Sequence, residues 1–125
     1  MSTRILIVDD SGLARRMMRS ILESGGYEVE EASDGAQALE RYFLARHDLV
    51  FLDNVMDQMY GLEVLTKFRE LNPDVRVVMA TADVQASTKD EAKAGGAVAY
   101  ITKPYNKEKI LQLVASILTE GSAWN

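Results

Sequence analysis

Residues 48–53 read Asp48-Leu49-Val50-Phe51-Leu52-Asp53, an apolar run of four side chains that ends abruptly in a carboxylate. A short and continuous apolar run is typical of a strand that is buried on both faces of a parallel sheet. In open α/β folds, the active crevice lies outside the carboxyl ends of such strands. We therefore predict that Asp53 stands at the end of a central strand and is the principal functional residue.

The rest of the chain repeats the same alternation of strand and helix. Strand-like apolar segments occupy residues 5–8, 27–32, 75–80 and 97–101, and each is followed by a segment with helical spacing of its apolar residues. One face of the segment at 27–32 is more polar than the other, which is typical of an outer strand. Strict alternation predicts an α/β fold with a doubly wound parallel sheet, right-handed crossovers and helices on both faces.

Several side chains can be assigned a place from this pattern. The first helix can be capped by Ser11 or Asp10. In it, Leu13, Met17 and Ile21 recur at i, i+4 and i+8, and Met18 and Leu22 widen the apolar face that is expected to meet the core. The second helix is expected to begin after Asp34 as its N-cap, with Gln37 as the capping-box partner. It is expected to carry four residues inward, Ala36, Leu39, Tyr42 and Phe43.

Three other segments lack a strong signal. The helix predicted at about 84–94 has mainly Val84, Ala86, Ala92 and Ala94 as inward candidates, so it is expected to have low local stability. His47 is expected in a surface turn. Residues 121–125 are expected to fray, with Trp124 as a loosely packed residue of this tail.

Composition limits the functional classes. The chain has 125 residues, 47% of them apolar, no cysteine, and a net charge of −5. We expect one domain with a substantial core and no disulfide or zinc cluster. No apolar stretch approaches the roughly 20 residues that a membrane span requires. The acidic balance argues against direct nucleic-acid binding, and a cytoplasmic protein without membrane insertion is expected.

Polar residues follow four of the five predicted strands. Asp9 and Asp10 end the first strand, Asp53 the third and Thr81 the fourth, and Lys103 follows the fifth. Because parallel strands end at one edge, these groups should meet there. Clustered carboxylates need a cation, and Mg²⁺ prefers oxygen ligands. Beside such an ion Asp53 could attack phosphorus, while Thr81 and Lys103 could hold phosphoryl oxygens.

These motifs together resemble the response-regulator receiver domain of two-component signalling, of the single-domain CheY-like kind. The resemblance covers about residues 4–120 and rests on residues 5–11, 48–53, 61–65, 81–82 and 103–105. It implies a flavodoxin-like (βα)5 three-layer sandwich with five parallel strands in the order 2-1-3-4-5. It also implies that residues 1–125 form a single receiver domain with no output domain.

The resemblance implies roles in phosphoryl transfer. Asp53 matches the acceptor that takes phosphate from a sensor histidine kinase or a histidine phosphotransfer protein. Asp9 and Asp10 match the acidic pair that binds Mg²⁺, or Mn²⁺ in its place. The main-chain carbonyl of Val55 matches a third protein ligand of this metal.

The resemblance also implies a conformational switch. Lys103 matches the lysine that contacts the acyl phosphate, and the bond from Lys103 to Pro104 is typically cis in the family. Thr81 matches the hydroxyl that is drawn to the phosphate, and Tyr100 matches the aromatic that then swings inward. The surface around Tyr100 and the last helix would then bind a downstream protein target.

Four positions depart from the family pattern. Asp57 stands where most receivers have proline, and we hypothesise that it changes metal affinity or loop mobility. Tyr60 replaces a frequent aspartate and is expected at the surface. Val55 and Asp83 occupy positions that face the phosphoryl group and the attacking water, so the lifetime of the phosphate is not readable from the sequence.

Alternative functions remain open at this point. The favoured one is a stand-alone response regulator, a phosphoprotein that promotes only its own phosphorylation and dephosphorylation and is not otherwise an enzyme. A phosphorelay shuttle and a non-phosphorylated interaction module are the alternatives. A haloacid dehalogenase-type phosphatase would need an aspartate at position 55, and a nucleotide-binding domain would need a glycine-rich loop where Asp9-Asp10-Ser11-Gly12 stands.

Overall fold

The computed structural model describes residues 2–56, 59–82 and 86–124. The long elements alternate between strand and helix, as predicted. In chain order, the elements are β1 (Arg4–Val8), α1 (Gly12–Ser24), β2 (Glu28–Ala32), α2 (Gly35–Ala45), β3 (Leu49–Asp53), β4 (Val55–Met56), β5 (Met59–Tyr60), α3 (Gly61–Leu71), β6 (Val77–Thr81), α4 (Ala86–Ala94), β7 (Ala99–Thr102) and α5 (Lys107–Glu120). Within the described ranges, no helix combines the length and the apolar character that a bilayer crossing demands.

The five long strands form one parallel sheet in the order β2-β1-β3-β6-β7. Counted without the two short strands, this is the predicted order 2-1-3-4-5, with the strand that carries Asp53 at its centre. The short strands β4 and β5 pair antiparallel as a separate ribbon directly after Asp53. The sequence predicted only a loop at this place, because two-residue strands leave no periodic signal.

The core lies on both faces of the sheet, since successive side chains of a strand point to opposite sides. All five residues of β3 are buried, as the apolar run predicted. Leu52 belongs to the cluster that includes Tyr42 of α2 and Phe68 of α3. Phe51 belongs to the opposite cluster, with Met18 of α1 and Val114 of α5. The central strand is therefore held from both sides, which fixes the position of its last residue, Asp53.

The inward faces of α1 and α2 differ in part from the prediction. On α1, Met18 and Leu22 are buried as expected, but Leu13 and Met17 are exposed at 65% and 46%. On α2, Tyr42 is buried as expected, but Phe43 is 61% exposed and Ala36 is exposed as well. The apolar residues of each helix cover a wider arc than the sheet can bury, and spacing alone does not tell which part of that arc turns inward.

Helix α4 is held by little apolar burial. Among its side chains described from 88 to 94, Ala92 is the one that is buried, while Ala94 is exposed against the expectation. Val84 lies outside the described residues. The low local stability of this helix stays a prediction, and the small buried area favours it.

The described part of the C-terminal segment is docked rather than frayed, and Asn125 lies outside the described residues. The backbone N–H of Ala123 donates to the carbonyl of Val98 at 2.8 Å. The indole N–H of Trp124 donates to the carbonyl of Ala97 at 3.1 Å, and the ammonium of Lys93 lies 5.4 Å from the centre of the ring. The prediction of a loosely packed Trp124 is therefore wrong, because its partners come from α4 and the turn after it, 27 residues earlier in the chain.

His47 is buried and not a surface turn residue. It is 4% exposed, and its Nε2 lies 2.6 Å from a carboxylate oxygen of Glu30 on β2. Its ring stacks on Tyr42 with the centroids 6.2 Å apart. Its Nδ1 has no hydrogen-bond partner among the described residues. Burial lowers the pKa of His47, although the carboxylate of Glu30 opposes this, so the imidazole is neutral at pH 7 and donates to Glu30.

His47 is expected to make stability depend on pH. Because its folded pKa is below the unfolded value of about 6.5, the unfolded chain binds the proton first, and stability is lost as pH falls below that value. His47→Gln keeps an amide donor for Glu30 but cannot titrate. Denaturant unfolding at pH 7.5 and pH 5.5 should show a larger loss of stability for the wild type than for the variant. Equal losses would contradict the assignment.

Candidate phosphoacceptor site

The carboxyl edge of the sheet collects the polar residues that the sequence placed at strand ends. Asp9 directly follows β1, Asp53 ends β3, Thr81 ends β6 and Lys103 directly follows β7. The last two strand ends are joined by a hydrogen bond of 2.8 Å from the backbone N–H of Lys103 to the carbonyl of Thr81. Asp9, Asp53 and Thr81 are buried, whereas Asp10 is exposed. The site is therefore a recessed group of polar side chains with Asp10 at its rim.

Three carboxylates of this edge could hold a metal ion. Asp9, Asp10 and Asp53 each present one oxygen, and these oxygens lie within 4.8 Å of one another. Such a set is unfavourable without a cation, because like charges at this distance repel. All the donors are hard oxygens, which suit Mg²⁺ or Mn²⁺ and not a metal that selects sulfur or imidazole. The residues present therefore fit the divalent ion that the sequence predicted.

Lys103 connects two of the carboxylates. Its ammonium lies 2.9 Å from Oδ2 of Asp9 and 3.5 Å from Oδ1 of Asp53. Burial alone would lower the pKa of Lys103, but the hydrogen bond to Asp9 and the charge of Asp53 raise it above its usual value. Lys103 is thus charged at neutral pH. The bond from Lys103 to Pro104 is cis, as the resemblance implied.

The carboxyl group of Asp53 is electrostatically strained. Burial and then the charge of Asp9 raise its pKa from 3.8 to about 6, although Lys103 opposes the shift. Desolvation disfavours the ionised form, and a second negative charge adds to this cost. A cation beside Asp53 would favour the ionised form, which is the form that can act as a nucleophile.

The loop after β1 fixes the carboxylate of Asp9. The backbone N–H of Ser11 donates to Oδ1 of Asp9 at 2.9 Å. The hydroxyl of Ser11 in turn accepts from the backbone N–H of Ala14 at 3.2 Å, so Ser11 is the N-cap of α1. The sequence predicted Ser11 or Asp10 for this cap, and Ser11 has it.

Gly61 is a site-supporting residue that sequence reasoning named only as part of a motif. It begins α3, and its N–H donates to the carbonyl of Asn54 at 2.7 Å. A Cβ on Gly61 would lie 2.6 Å from the carbonyl oxygen of Asp53 and 2.8 Å from Cα of Asn54. The approach of α3 to the end of β3 is thus possible because residue 61 has no side chain.

Tyr100 lies on β7 at the edge of the sheet and is half-buried against the core. Together with Leu113 and Trp124, it lines a cleft of about 820 Å³ between β7 and α5. Tyr105 lines the same cleft, and its pKa is raised by burial and by the charges of Asp9 and Asp53. The cleft therefore borders the acidic site, and Tyr105 is a neutral phenol between the two.

Some predicted features lie outside what the structure tests. β4 begins at Val55, but the metal-ligand role of its carbonyl stays a prediction. Asp57 and Asp83 lie outside the described residues, so the hypothesis about Asp57 also stays open. Tyr60 is exposed, as expected.

Comparison with known proteins gives one consistent family. The model of the response regulator receiver domain matches residues 5–115. Chemotaxis protein CheY of Bacillus subtilis is 37% identical over 119 residues, which are 94% of this chain and 99% of that protein. Chemotaxis protein CheY4 of Vibrio cholerae superposes with a TM-score of 0.88 at 34% identity, with 94% of this chain and 99% of that chain covered.

A third relative was solved with ligands and a protein partner. It is the CheX-CheY-BeF3-Mg complex of Borrelia burgdorferi, with a TM-score of 0.87 and 31% identity. The likeness covers 92% of this chain and 88% of that one.

Proposed function

Because the chain belongs to the response regulator receiver domain family of two-component signalling, we propose that Asp53 is its phosphoacceptor. The donor is the phosphohistidine of a sensor histidine kinase or of a histidine phosphotransfer protein in the cytoplasm. The observation that carries the proposal is the contact of one ammonium, that of Lys103, with both Asp9 and Asp53 at the carboxyl edge of the sheet.

The proposed cofactor is Mg²⁺, with Mn²⁺ as a substitute. Asp9, Asp10 and Asp53 would hold it, together with the carbonyl of Val55. The Borrelia burgdorferi relative was solved with Mg²⁺ and BeF3, which supports this choice. When bound, the ion neutralises negative charge on the phosphoryl group and on the carboxylates.

The residues of this chain act mainly by position and charge. A carboxylate oxygen of Asp53 attacks phosphorus, and the P–O bond forms as the P–N bond to the donor imidazole breaks. Lys103 holds one phosphoryl oxygen as a point charge, and the hydroxyl of Thr81 donates to another. These steps modify the protein itself, so we propose that it acts as a signalling protein and promotes no reaction other than its own phosphorylation and dephosphorylation.

The proposed output is a change of surface. Movement of Thr81 toward the phosphoryl group would leave room for Tyr100 to turn inward, which would reshape the cleft between β7 and α5. The small apolar contact of α4 favours such a change, because a switch needs an element with two arrangements of similar free energy. A downstream protein target would bind there.

Phosphoryl uptake can be measured directly. Incubation with acetyl phosphate and Mg²⁺, followed by intact-mass spectrometry, should show the addition of one phosphoryl group. A chelator and the variant Asp53→Asn should each abolish the gain. No gain under conditions that label another receiver domain would contradict the proposal and favour a non-phosphorylated interaction module.

A further inference from the structure

Arg15 contacts the main chain between the two acidic residues of the site. Its Nη1 donates to the carbonyl oxygen of Asp9 at 2.6 Å, from one turn into α1. The backbone N–H of Arg15 also donates to the carbonyl of Ser11 at 3.0 Å. Arg15 therefore closes the loop that carries Asp9 and Asp10 onto the first turn of the helix.

The guanidinium of Arg15 is itself held in place by β2. Its Nε donates to Oε1 of Glu31 at 3.1 Å, and both side chains are partly buried. Arg19 donates to the other oxygen of Glu31 and, at 3.1 Å, to the carbonyl of Val29. Burial alone would raise the pKa of Glu31, but the hydrogen bonds from Arg19 and Arg15 hold it below its usual value. Glu31 is thus ionised and holds the guanidinium groups of Arg15 and Arg19 in place.

The carbonyl that Arg15 binds has a special place in the site. A peptide group is planar, so the carbonyl of Asp9 and the N–H of Asp10 turn together. The other end of Asp9 is fixed by its N–H, which donates to the carbonyl of Ala32 at 3.2 Å, and its side chain is fixed by Ser11 and Lys103. Arg15 therefore fixes the orientation of the peptide group that joins Asp9 to the exposed Asp10.

We propose that Arg15 is a positioning residue of the cation site, which fixes the peptide between Asp9 and Asp10 so that both carboxylates can reach one ion. Glu31 acts through Arg15, because it accepts the hydrogen bond from Nε of the same guanidinium that binds the carbonyl of Asp9. The inference rests on the metal site proposed above and extends it to residues of α1 and β2.

The direction in which Mg²⁺ affinity changes when Arg15 is replaced distinguishes a positioning role from a purely electrostatic one. Arg15 places a positive charge on the main chain between Asp9 and Asp10, so its charge alone repels Mg²⁺. If charge were its only influence, Arg15→Met would bind Mg²⁺ more tightly. If it positions Asp10, the same variant binds Mg²⁺ more weakly, by about tenfold, as is usual when a group that orients a metal ligand is removed.

The experiment is a calorimetric titration of the full chain with Mg²⁺ alone, with circular dichroism to verify folding. Arg15→Met should weaken binding about tenfold. Arg15→Lys should recover part of the loss, because an ammonium can still donate to the carbonyl of Asp9 but cannot bind Glu31 as a planar fork does. Arg16→Met is the matched control, since exposed Arg16 carries the same charge at the next position and should leave the affinity unchanged or slightly higher.

A second variant tests the role of Glu31 without changing the loop that carries Asp9 and Asp10. Glu31→Gln should weaken Mg²⁺ binding severalfold, and the double variant with Arg15→Met should bind no more weakly than Arg15→Met alone, because the two residues act in series. Folded variants that bind Mg²⁺ as tightly as the wild type would overturn the role of Arg15. A wild-type protein that binds no Mg²⁺ would instead overturn the metal site itself.

Discussion

Replacing Asp53 with asparagine is expected to stabilise the folded protein by about 2 kcal/mol at pH 7.5 in the absence of metal, while it removes phosphoryl acceptance. The pKa of Asp53 is raised from 3.8 to about 6 by burial and by the charge of Asp9. One pKa unit corresponds to about 1.4 kcal/mol. Asparagine avoids this cost but loses part of the attraction to Lys103, so the expected gain is smaller than the full shift.

The pH dependence of the stability difference between Asp53→Asn and the wild type tests this expectation. A carboxyl group with a raised folded pKa destabilises the folded state above that pKa, and the cost disappears as pH falls from about 6 toward 4. The stability difference between Asp53→Asn and the wild type should therefore shrink between pH 7.5 and pH 5 in denaturant unfolding. Both proteins retain His47, so its contribution cancels. A variant that is no more stable than the wild type at pH 7.5 would show that Asp53 is not strained.

Added Mg²⁺ should reverse the order of stability of the wild type and Asp53→Asn. A cation that binds the folded state stabilises it in proportion to the logarithm of its concentration above the dissociation constant. The wild type should therefore gain stability with Mg²⁺, and Asp53→Asn should gain much less because it retains two of the three carboxylates. The carboxyl group of Asp53 is thus expected to lower the stability of the metal-free protein, although it is required to accept a phosphoryl group.

Gly61→Ala is expected to have the second large effect, a loss of about 3 kcal/mol of stability together with at least tenfold slower phosphoryl uptake. The new methyl group would lie 2.6 Å from the carbonyl oxygen of Asp53, 2.8 Å from Cα of Asn54 and 2.8 Å from Cε of Met79. The methionine can turn away, but two backbone atoms cannot. Either α3 or the end of β3 must move, and Asp53 moves with the latter.

Gly12→Ala is the matched control for this substitution. Gly12 is the first residue of α1, as Gly61 is of α3. Of the atoms that the structure describes, a Cβ there would meet only Nη2 of Arg15, at an ordinary distance of 3.6 Å. Denaturant unfolding should find Gly12→Ala within about 0.5 kcal/mol of the wild type, since alanine is the better helix former. Equal stability of the two variants would argue against the close approach at Gly61.

The fold and the edge of the candidate site could be predicted because they depend on local features. A continuous apolar run such as that before Asp53 indicates a central strand, and parallel strands bring their ends together whatever their exact partners. Caps are local as well. Asp34 accepts from the backbone N–H of Gln37 at 2.8 Å, as the spacing of these two residues predicted.

Features that depend on distant partners could not be predicted. His47 is buried because Glu30, 17 residues earlier in the chain, supplies an acceptor. Leu13 was expected inside because its spacing fits a helical face, but the arc that the sheet covers is centred on Met18 and Leu22. The contact of Arg15 with Asp9 likewise requires Glu31, on a different strand, to direct its guanidinium.

The docked position of Trp124 gives the molecule a built-in optical probe. It is the single tryptophan of the chain, and its indole contacts the turn between α4 and β7 beside the cleft that Tyr100 lines. Indole emission responds to a nearby ammonium, such as that of Lys93, and to the polarity of its surroundings. Fluorescence of the unlabelled protein can therefore follow events at the acidic site through any displacement they cause in α4 and β7, in real time and without an attached dye.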